Sequence, residues 1–169
     1  MTIPADPVPR LASRVLLLDA TGRLLMFRGF DPADPQRYYW FTAGGGLNPG
    51  ESFVDGALRE LCEETGLAVT AADLEGPVWR QRVNFPFDGV LYRQEQEFFV
   101  VRVDAWEVEV AGFDEEERRS IDSHRWWTVD ELAAAVADPT AEKIYPRELP
   151  ELVRAVLAAD PGALPGEVA

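Results

Sequence analysis

The sequence predicts an α+β domain built on a mixed sheet. Runs of β-branched and aromatic residues outnumber the helical patterns, and the two do not alternate regularly as they would in a parallel α/β fold. The chain has 169 residues and is 47% hydrophobic, which suits one domain with its own core. We assign residues 1–9 to a flexible N-terminal segment, residues 10–159 to this single domain and residues 160–169 to a disordered tail.

Three predicted strands occupy the first part of the domain. Residues 13–19 and 23–27 form a hairpin around a Thr-Gly turn. Residues 31–36, which contain two prolines, form a loop. A short strand at residues 39–42 then leads into three consecutive glycines, residues 44–46.

An amphipathic helix follows the glycines. Ser52, with Asp55 three residues later, predicts its N-terminal cap, and Gly66 predicts its C-terminal cap. Apolar residues at helical spacing give the helix one side that packs on the sheet. They are Val54, Ala57, Leu58 and Leu61.

The remaining predicted elements are two long strands around a turn, a charged loop, a short strand and two helices. The two long strands are residues 78–84 and 90–104, with the turn at 86–89. The charged loop is 112–122, the short strand is 125–129, and the two helices are 130–137 and 148–159. In the second long strand, Glu95 and Glu97 share the parity of the apolar residues. They are therefore expected to face the covered side of the sheet, with a solvated strand end as the alternative.

Charge and composition exclude several classes of protein. The net charge of −14, with 16 basic against 30 acidic residues, argues against non-specific binding to nucleic acid, which depends on Lys and Arg contacts to phosphate. The sequence has no run of about 18 apolar residues, so we expect no membrane span. A single cysteine, Cys62, cannot form an intramolecular disulfide, and a reducing cytoplasm is the expected location.

Three glutamates crowd one side of the amphipathic helix. Glu60, Glu63 and Glu64 fall within an arc of about 100°. The last two lie in the final turn, where the helix dipole disfavours anions by roughly 0.3–1 kcal/mol each. The like-charged Glu60–Glu64 pair adds about 0.2–0.5 kcal/mol of repulsion. Local conflicts of this kind mark functional sites, and a hard divalent cation such as Mg²⁺ is the simplest partner for converging carboxylates.

This segment resembles the signature of the MutT-like Nudix hydrolases. That signature is Gly, five residues, Glu, seven residues, then Arg-Glu-hydrophobic-any-Glu-Glu-any-Gly-hydrophobic. The matching residues are Gly45, Glu51, Arg59, Glu60, Leu61, Glu63, Glu64, Gly66 and Leu67. One departure is Ala43, at a position where many members of the family have proline.

The resemblance implies an α/β/α sandwich with a mixed sheet and a loop–helix–loop catalytic motif. It implies a Mg²⁺-dependent hydrolase, with Mn²⁺ as a substitute, that cleaves a nucleoside diphosphate linked to another moiety. A water molecule activated by the metal would attack phosphorus. The expected partner is therefore a small nucleotide-type molecule. A homodimer is compatible with the sequence, although no residue pattern requires one.

The resemblance also assigns metal-binding roles to individual residues of this chain. Glu60 and Glu64 become the main metal ligands, and Glu63 becomes a further or water-mediated ligand. Glu51 lies near the metal or braces the loop. Gly45 contributes its backbone to the metal site.

The general base is left open by the motif. Arg59 is implied to orient a glutamate through an ion pair, but the glutamate that activates water lies in the helix in some members of the family and on a distant loop in others. The candidates here are Glu63, Glu97 and the acidic run at residues 115–117, and we favour Glu116 or Glu97 as an extra contact to the metal or to water.

Substrate contacts are predicted from strand parity and aromatic character. Arg80 and Arg82 share one side of a strand and would hold a phosphate or lie in solvent, and Arg28 is a similar candidate. Trp79 and Phe85 would stack on a base, with packing in the core or hairpin as the alternative.

Two other functions remain open at this stage. One is a catalytically silent Nudix-fold module that binds or senses a ligand, which would usually have lost metal ligands. The other is a diphosphate isomerase, whose chemistry needs an additional cysteine outside the helix. We expect specificity to lie in residues 31–39, 86–89 and 112–123, and the sequence does not identify the substrate.

Overall fold

A seven-stranded mixed sheet runs through the computed structural model, which describes residues 6–159. The strands are β1 (Val8–Leu18), β2 (Leu24–Asp31), β3 (Asp34–Gly46), β4 (Glu75–Phe87), β5 (Val90–Arg102), β6 (Ile121–Trp127) and β7 (Lys143–Tyr145). The helices are α1 (Phe53–Thr65), α2 (Glu115–Ser120), α3 (Val129–Ala137) and α4 (Leu149–Ala158), with a 3-10 turn at Ala71–Asp73. The predicted α+β class with a mixed sheet is confirmed.

The first strand pairs with three other strands and so connects the two parts of the sheet. Strand order is β4-β5-β1-β2-β3-β7, with β6 on β2 and an additional pairing of β1 with β3. β1 meets β2 only where Leu18 pairs with Leu24, whereas residues 12–15 of β1 pair with the end of β3. The β1–β2 hairpin therefore opens, and the glycines that end β3 lie directly beside β1.

Both faces of the sheet are covered. Val15, Leu17 and Phe99 face α1, which adds Ala57 and Leu61 to the core on that side. The opposite face packs on α3 and α4, and its core residues include Leu16, Phe98, Val100, Leu132, Leu149 and Val153. Burying each of the larger side chains contributes about 1.5–3 kcal/mol. This layering gives the predicted α/β/α sandwich. Within residues 6–159, no helix has the length and apolar character needed to cross a bilayer.

Helix α1 begins and ends as predicted. The Ser52 side chain accepts a hydrogen bond from the Asp55 amide at 3.0 Å, and Gly66 closes the helix with φ of 77°. Gly56 admits a neighbour from the preceding loop, since a Cβ there would lie 2.2 Å from Leu47 Cδ2. The lone cysteine, Cys62, is exposed on this helix.

Two predicted loops are regular structure instead. Residues 31–36 are mostly strand, because β2 continues to Asp31 and β3 begins at Asp34, and proline is tolerated near the start of a strand. The charged loop at 112–122 contains α2. Asp114 and Glu117 close a capping box at its N-terminus, so the acidic run is helical.

The ends of the chain differ slightly from the prediction. β1 begins at Val8, inside the segment assigned to a flexible N-terminus, because Val8 pairs with Tyr92 of β5. β7, a three-residue strand beside β3, had no counterpart in the prediction. Residues 1–5 and the predicted tail at 160–169 lie outside the described residues.

Candidate active site

Two glycines at the end of β3 bring the strand backbone close to α1. Gly44 has φ of +134°, and a Cβ there would lie 2.1 Å from the Ser13 carbonyl oxygen. A Cβ on Gly45 would lie 2.6 Å from Glu60 Oε1. Glycine at these positions therefore allows β1, β3 and the carboxylates of α1 to meet without steric conflict.

Glu60 and Glu64 project from adjacent turns of α1 toward these glycines. Both are buried, with exposed fractions of 7% and 2%. Glu64 Oε2 accepts a hydrogen bond from the Gly44 amide at 3.1 Å. The four-residue spacing that creates repulsion in an isolated helix thus directs both carboxylates at one point.

A third carboxylate reaches the same point from α2. Oxygens of Glu60, Glu64 and Glu117 all lie within 4.8 Å of one another. Glu117 Oε1 accepts a hydrogen bond from the Asp114 amide at 3.1 Å. Glu117 Oε2 is buried and, within residues 6–159, has no hydrogen-bond partner. We call these three residues the carboxylate cluster.

The electrostatics of the carboxylate cluster oppose full ionisation. Burial raises the pKa of Glu64 well above its ordinary value, and repulsion from Glu60 and Glu117 adds to the shift. Burial likewise raises the pKa of Glu60, against the effect of Arg59. Burial raises the pKa of Glu117 to about 7. Three converging carboxylates, one with an unpaired oxygen, fit a hard divalent cation such as Mg²⁺, which would relieve this conflict.

Arg59 ties the loop before α1 to the helix. Its guanidinium donates to both oxygens of Glu51 at 2.8 Å and to the Gly46 carbonyl at 3.0 Å. It also donates to Glu60 at 3.0 Å and to Glu63 at 3.1 Å. The Arg59 hydrogen bonds lower the pKa of Glu51 to about 2. Arg59 and Glu51 therefore connect the loop before α1 to the helix through paired hydrogen bonds.

The other candidates for the base lie outside the carboxylate cluster. The Glu63 side chain is 37% exposed and hydrogen-bonded to Arg59. Glu97 faces the α1 side of the sheet as expected, and it forms an ion pair with Arg80 at 2.9 Å.

The acidic run does supply a residue to the site, but that residue is not Glu116. Glu116 is exposed, whereas Glu117 faces α1. The reason is helical geometry, since successive residues of α2 point about 100° apart. The sequence contained a usable signal, because an aspartate followed three residues later by a glutamate is a capping pattern.

Arg28, a predicted phosphate ligand, is already paired with two carboxylates of this chain. It donates to Glu142 at 2.7 Å and to Asp122 at 2.7 Å, and its guanidinium lies 3.7 Å from the centre of the Tyr38 ring. These contacts satisfy its charge within the fold. Arg28 therefore holds the segment before β7 against β2.

The predicted contacts on the β4–β5 hairpin are largely internal. Arg80 pairs with Glu97, and Arg82 pairs with Glu95 at 2.5 Å, with Glu95 half exposed rather than directed into a cleft. The expectation that Trp79 stacks on a base is not supported, since this side chain is 3% exposed and packs on Phe98 in the core. Phe85 packs on Tyr92 in the hairpin, with ring centres 5.7 Å apart.

Comparisons with known proteins identify the family. The NUDIX domain family model matches residues 8–147. An RNA pyrophosphohydrolase of Wolbachia pipientis subsp. Culex pipiens (strain wPip) is 23% identical over 143 residues, covering 81% of this chain and 85% of that protein.

Solved structures agree with this assignment at the level of the fold. The MutT protein from Methanosarcina mazei Go1 superposes with a TM-score of 0.63 and 20% identity, covering 88% of this chain and 95% of that one. The E. coli dihydroneopterin triphosphate pyrophosphohydrolase has a TM-score of 0.55 and 20% identity, covering 75% and 87% of the two chains. With the family model spanning most of the chain and the signature complete, this protein belongs to the Nudix hydrolase family.

Proposed function

We propose that this protein is a Mg²⁺-dependent pyrophosphohydrolase that cleaves the diphosphate bond of a nucleotide-type molecule, with Mn²⁺ as a substitute. The carboxylate cluster carries this proposal, because its three carboxylate oxygens lie within 4.8 Å of one another beside glycines that clear their approach. The proposal is also supported by the family and by the relative named as an RNA pyrophosphohydrolase.

The cation would be held by Glu60 and Glu64, with the backbone of Gly45 beside them, and Glu117 would face the same point from α2. When bound, a divalent cation neutralises charge on the diphosphate oxygens and lowers the pKa of water. Arg59 keeps Glu60 oriented toward the cluster and fixes the loop through Glu51. These residues prearrange the negative charge before the substrate arrives, so little reorganisation is needed.

Glu117 is the residue that we propose as the proton acceptor. Its Oε2 is a buried oxygen without a hydrogen-bond partner in the described part of the chain, so it is available to accept a proton from water at the carboxylate cluster. Its Oε1 is held by the Asp114 amide, which fixes the orientation of the carboxylate. Glu63 and Glu97 are weaker candidates, because each is paired with an arginine.

Two alternatives have less support. A ligand-binding module without catalysis would be expected to lack part of the carboxylate cluster, and the signature here is complete. A diphosphate isomerase would need an additional cysteine, and the only one, Cys62, is exposed on α1.

A substrate panel tests the proposed function. Purified protein is assayed by chromatography of the products for cleavage of nucleoside triphosphates, sugar nucleotides, dinucleoside polyphosphates and 5′-triphosphorylated RNA, with Mg²⁺, with Mn²⁺ or with EDTA. We expect turnover of at least one substrate with either metal and none with EDTA. Hydrolysis in ¹⁸O-labelled water identifies the phosphorus attacked. Metal-dependent binding without turnover of any substrate would instead support a sensor.

The variant Glu60→Gln tests the assignment of the metal site, because it removes one carboxylate charge and keeps the side-chain shape. We expect loss of metal binding and of activity, with an unchanged far-UV circular dichroism spectrum. Normal turnover by this variant at saturating Mg²⁺ would contradict the assignment of the site.

A further inference from the structure

Two partly buried arginines of β1 lack the carboxylate partners that the other partly buried arginines have within residues 6–159. Within residues 6–159, neither Arg10 nor Arg14 forms an ion pair with a carboxylate. The chain carries a net charge of −14, and Arg28 and Arg59 each bind two or more carboxylates. The four other arginines without such a partner within residues 6–159 are exposed, whereas Arg10 and Arg14 are partly buried.

Both arginines lie on the face of β1 opposite α1, directly beside the glycines of the candidate active site. Arg14 pairs with Gly44, whose amide donates to Glu64. A Cβ on Gly46 would lie 2.7 Å from Arg10 Nε and 2.9 Å from Arg10 Nη2. Two positive charges thus stand on one side of residues 44–46, and the carboxylate cluster stands on the other.

The contacts of Arg14 leave its charge poorly compensated. Its guanidinium donates to Gln96 Oε1 at 3.3 Å, to the Thr42 carbonyl at 3.4 Å and to the Gly44 carbonyl at 3.3 Å. All three are neutral acceptors at long distance. A half-buried guanidinium held only by neutral oxygens does not recover the interactions of the water it has lost.

The neighbouring amides add an unused acceptor. Gln94 Nε2 donates to Gln96 Oε1 at 2.8 Å, and Gln96 Nε2 donates to Gln81 Oε1 at 2.7 Å. Gln94 is 1% exposed, and its own Oε1 has no hydrogen-bond partner within residues 6–159. This face of the sheet is therefore lined with polar groups that the fold itself does not fully use.

We propose that Arg10 and Arg14 form a subsite for a substrate phosphate beyond the two that share the cleaved bond. This inference rests on the proposed function. The two phosphates of the cleaved bond belong beside the cation at the carboxylate cluster, which repels further negative charge. A third phosphate is favoured on the positively charged side of residues 44–46, where the guanidiniums of Arg10 and Arg14 would bind its oxygens through charge-assisted hydrogen bonds. The substrate class is therefore a compound with three or more linked phosphates rather than a sugar-linked nucleoside diphosphate.

The test compares binding of inorganic tripolyphosphate and pyrophosphate by isothermal titration calorimetry at saturating Mg²⁺. The parent protein carries Glu117→Gln, which slows hydrolysis during the titration. We expect tripolyphosphate to bind at least about tenfold more tightly than pyrophosphate. Arg10→Gln and Arg14→Gln should each weaken tripolyphosphate binding about tenfold or more and change pyrophosphate binding less than about twofold.

Arg93→Gln is the matched control, because Arg93 is exposed on the neighbouring strand and pairs with Pro9 on the other face. It should leave both affinities within about twofold, since a distant exposed charge is screened by salt. Arg14→Lys keeps the charge if Arg14→Gln does not fold, and it should retain part of the preference for tripolyphosphate. Equal binding of the two probes, with no response to Arg10→Gln, would overturn the proposal.

The same variants separate this inference from the proposed function. If the protein hydrolyses substrates of the panel, Arg10→Gln should lower kcat/KM for triphosphate substrates about tenfold or more. The kcat/KM for sugar nucleotides should stay unchanged. If nothing in the panel is turned over, the proposed function fails, and the calorimetry still decides the subsite. A uniform loss for all substrates would show that Arg10 only supports the fold and would overturn the subsite.

Discussion

The two helices that build the carboxylate cluster hold their residues in different ways. α1 has 13 residues and is anchored in the core by the fully buried Ala57 and Leu61, so Glu60 and Glu64 stand on a rigid support. α2 has six residues, of which Ser120 alone is buried. The site therefore combines one half fixed by packing with another half fixed by local hydrogen bonds.

The cap of α2 explains how so short a helix can orient a carboxylate. Asp114 Oδ1 accepts a hydrogen bond from the Glu117 amide at 2.8 Å, and Glu117 Oε1 accepts one from the Asp114 amide in return. One oxygen of Glu117 completes the cap while the other joins the carboxylate cluster. An isolated six-residue helix is marginal in water, so its stability and the position of Glu117 depend on the same contacts.

The largest expected effect comes from the rigid half of the site. Glu64→Gln should lower kcat by roughly three orders of magnitude, about 4 kcal/mol of transition-state stabilisation, because the cation site loses its most buried carboxylate. Steady-state kinetics with a Mg²⁺ titration measures this change. Thermal unfolding in EDTA should show an equal or higher Tm, because the substitution removes repulsion with Glu60 and Glu117.

Glu63→Gln serves as the control for this prediction. Glu63 belongs to the same signature but lies outside the carboxylate cluster and is partly exposed. Its loss should cost less than about tenfold in kcat, since its contact in the structure is with Arg59 rather than with the cluster. Equal losses for Glu63→Gln and Glu64→Gln would mean that the signature acts as a unit.

The second effect tests the flexible half. Glu117→Gln should lower kcat about 10²-fold, the usual range for a general base, because the amide cannot accept the proton. Glu116→Gln, one residue earlier and exposed, should leave kcat within about twofold. A pH–rate profile adds a diagnostic, since the acidic limb of the wild-type profile should be lost in Glu117→Gln. A larger loss in Glu116→Gln would contradict the observed orientation of α2.

The sequence predicts the α1 half of the site better than the α2 half. The sequence predicts α1 with both caps and its apolar side, because these signals are local. The fixed spacing of the signature also predicts that Glu60 and Glu64 lie on one side of this helix. α2 escaped prediction because six residues are too few for a hydrophobic period, and three consecutive glutamates resemble a solvated loop. The capping pattern of Asp114 and Glu117 is the one local signal that distinguishes Glu117 from Glu116.

Long-range pairing explains what else the sequence did not indicate. Arg10 and Arg14 lie in a strand whose neighbours, β3 and β5, are distant in the chain. Their position beside the glycines follows from that pairing and not from any local pattern. Likewise, Arg28 was expected to be available for phosphate, and its partner Glu142 comes from 114 residues further along.

The metal-free protein should show an unusual dependence of stability on pH. The pKa of Glu117 rises from 4.5 to about 7 in the folded state, facing Glu60, Glu64 and Asp114. Between these values the folded state binds more protons than the unfolded chain, so the free energy of unfolding falls as pH rises. We expect a loss of about 1–2 kcal/mol from this residue, discounted because its carboxylate is partly exposed.

Denaturant unfolding in EDTA at pH 5 and pH 8 measures this loss in the wild type and in Glu117→Gln. The variant should lose less stability over the interval, because its amide does not titrate. Saturating Mg²⁺ should restore the wild-type stability at pH 8 through linkage to the folded state. An identical decline in both proteins would assign the effect to the general acidity of the chain.

The smallest effect compares the two caps directly. Ser52 caps α1 and Asp114 caps α2, and alanine at either position should remove about 1 kcal/mol of local helix stability. Because α1 is part of the core, Ser52→Ala should lower Tm by about 2–4 °C and leave kcat nearly unchanged. Because α2 is peripheral, Asp114→Ala should barely change Tm but lower kcat several-fold, since Glu117 loses its orientation. Differential scanning calorimetry and steady-state kinetics on the two variants measure this crossover. Parallel changes in Tm and kcat for both variants would show that the two halves of the site are held in the same way.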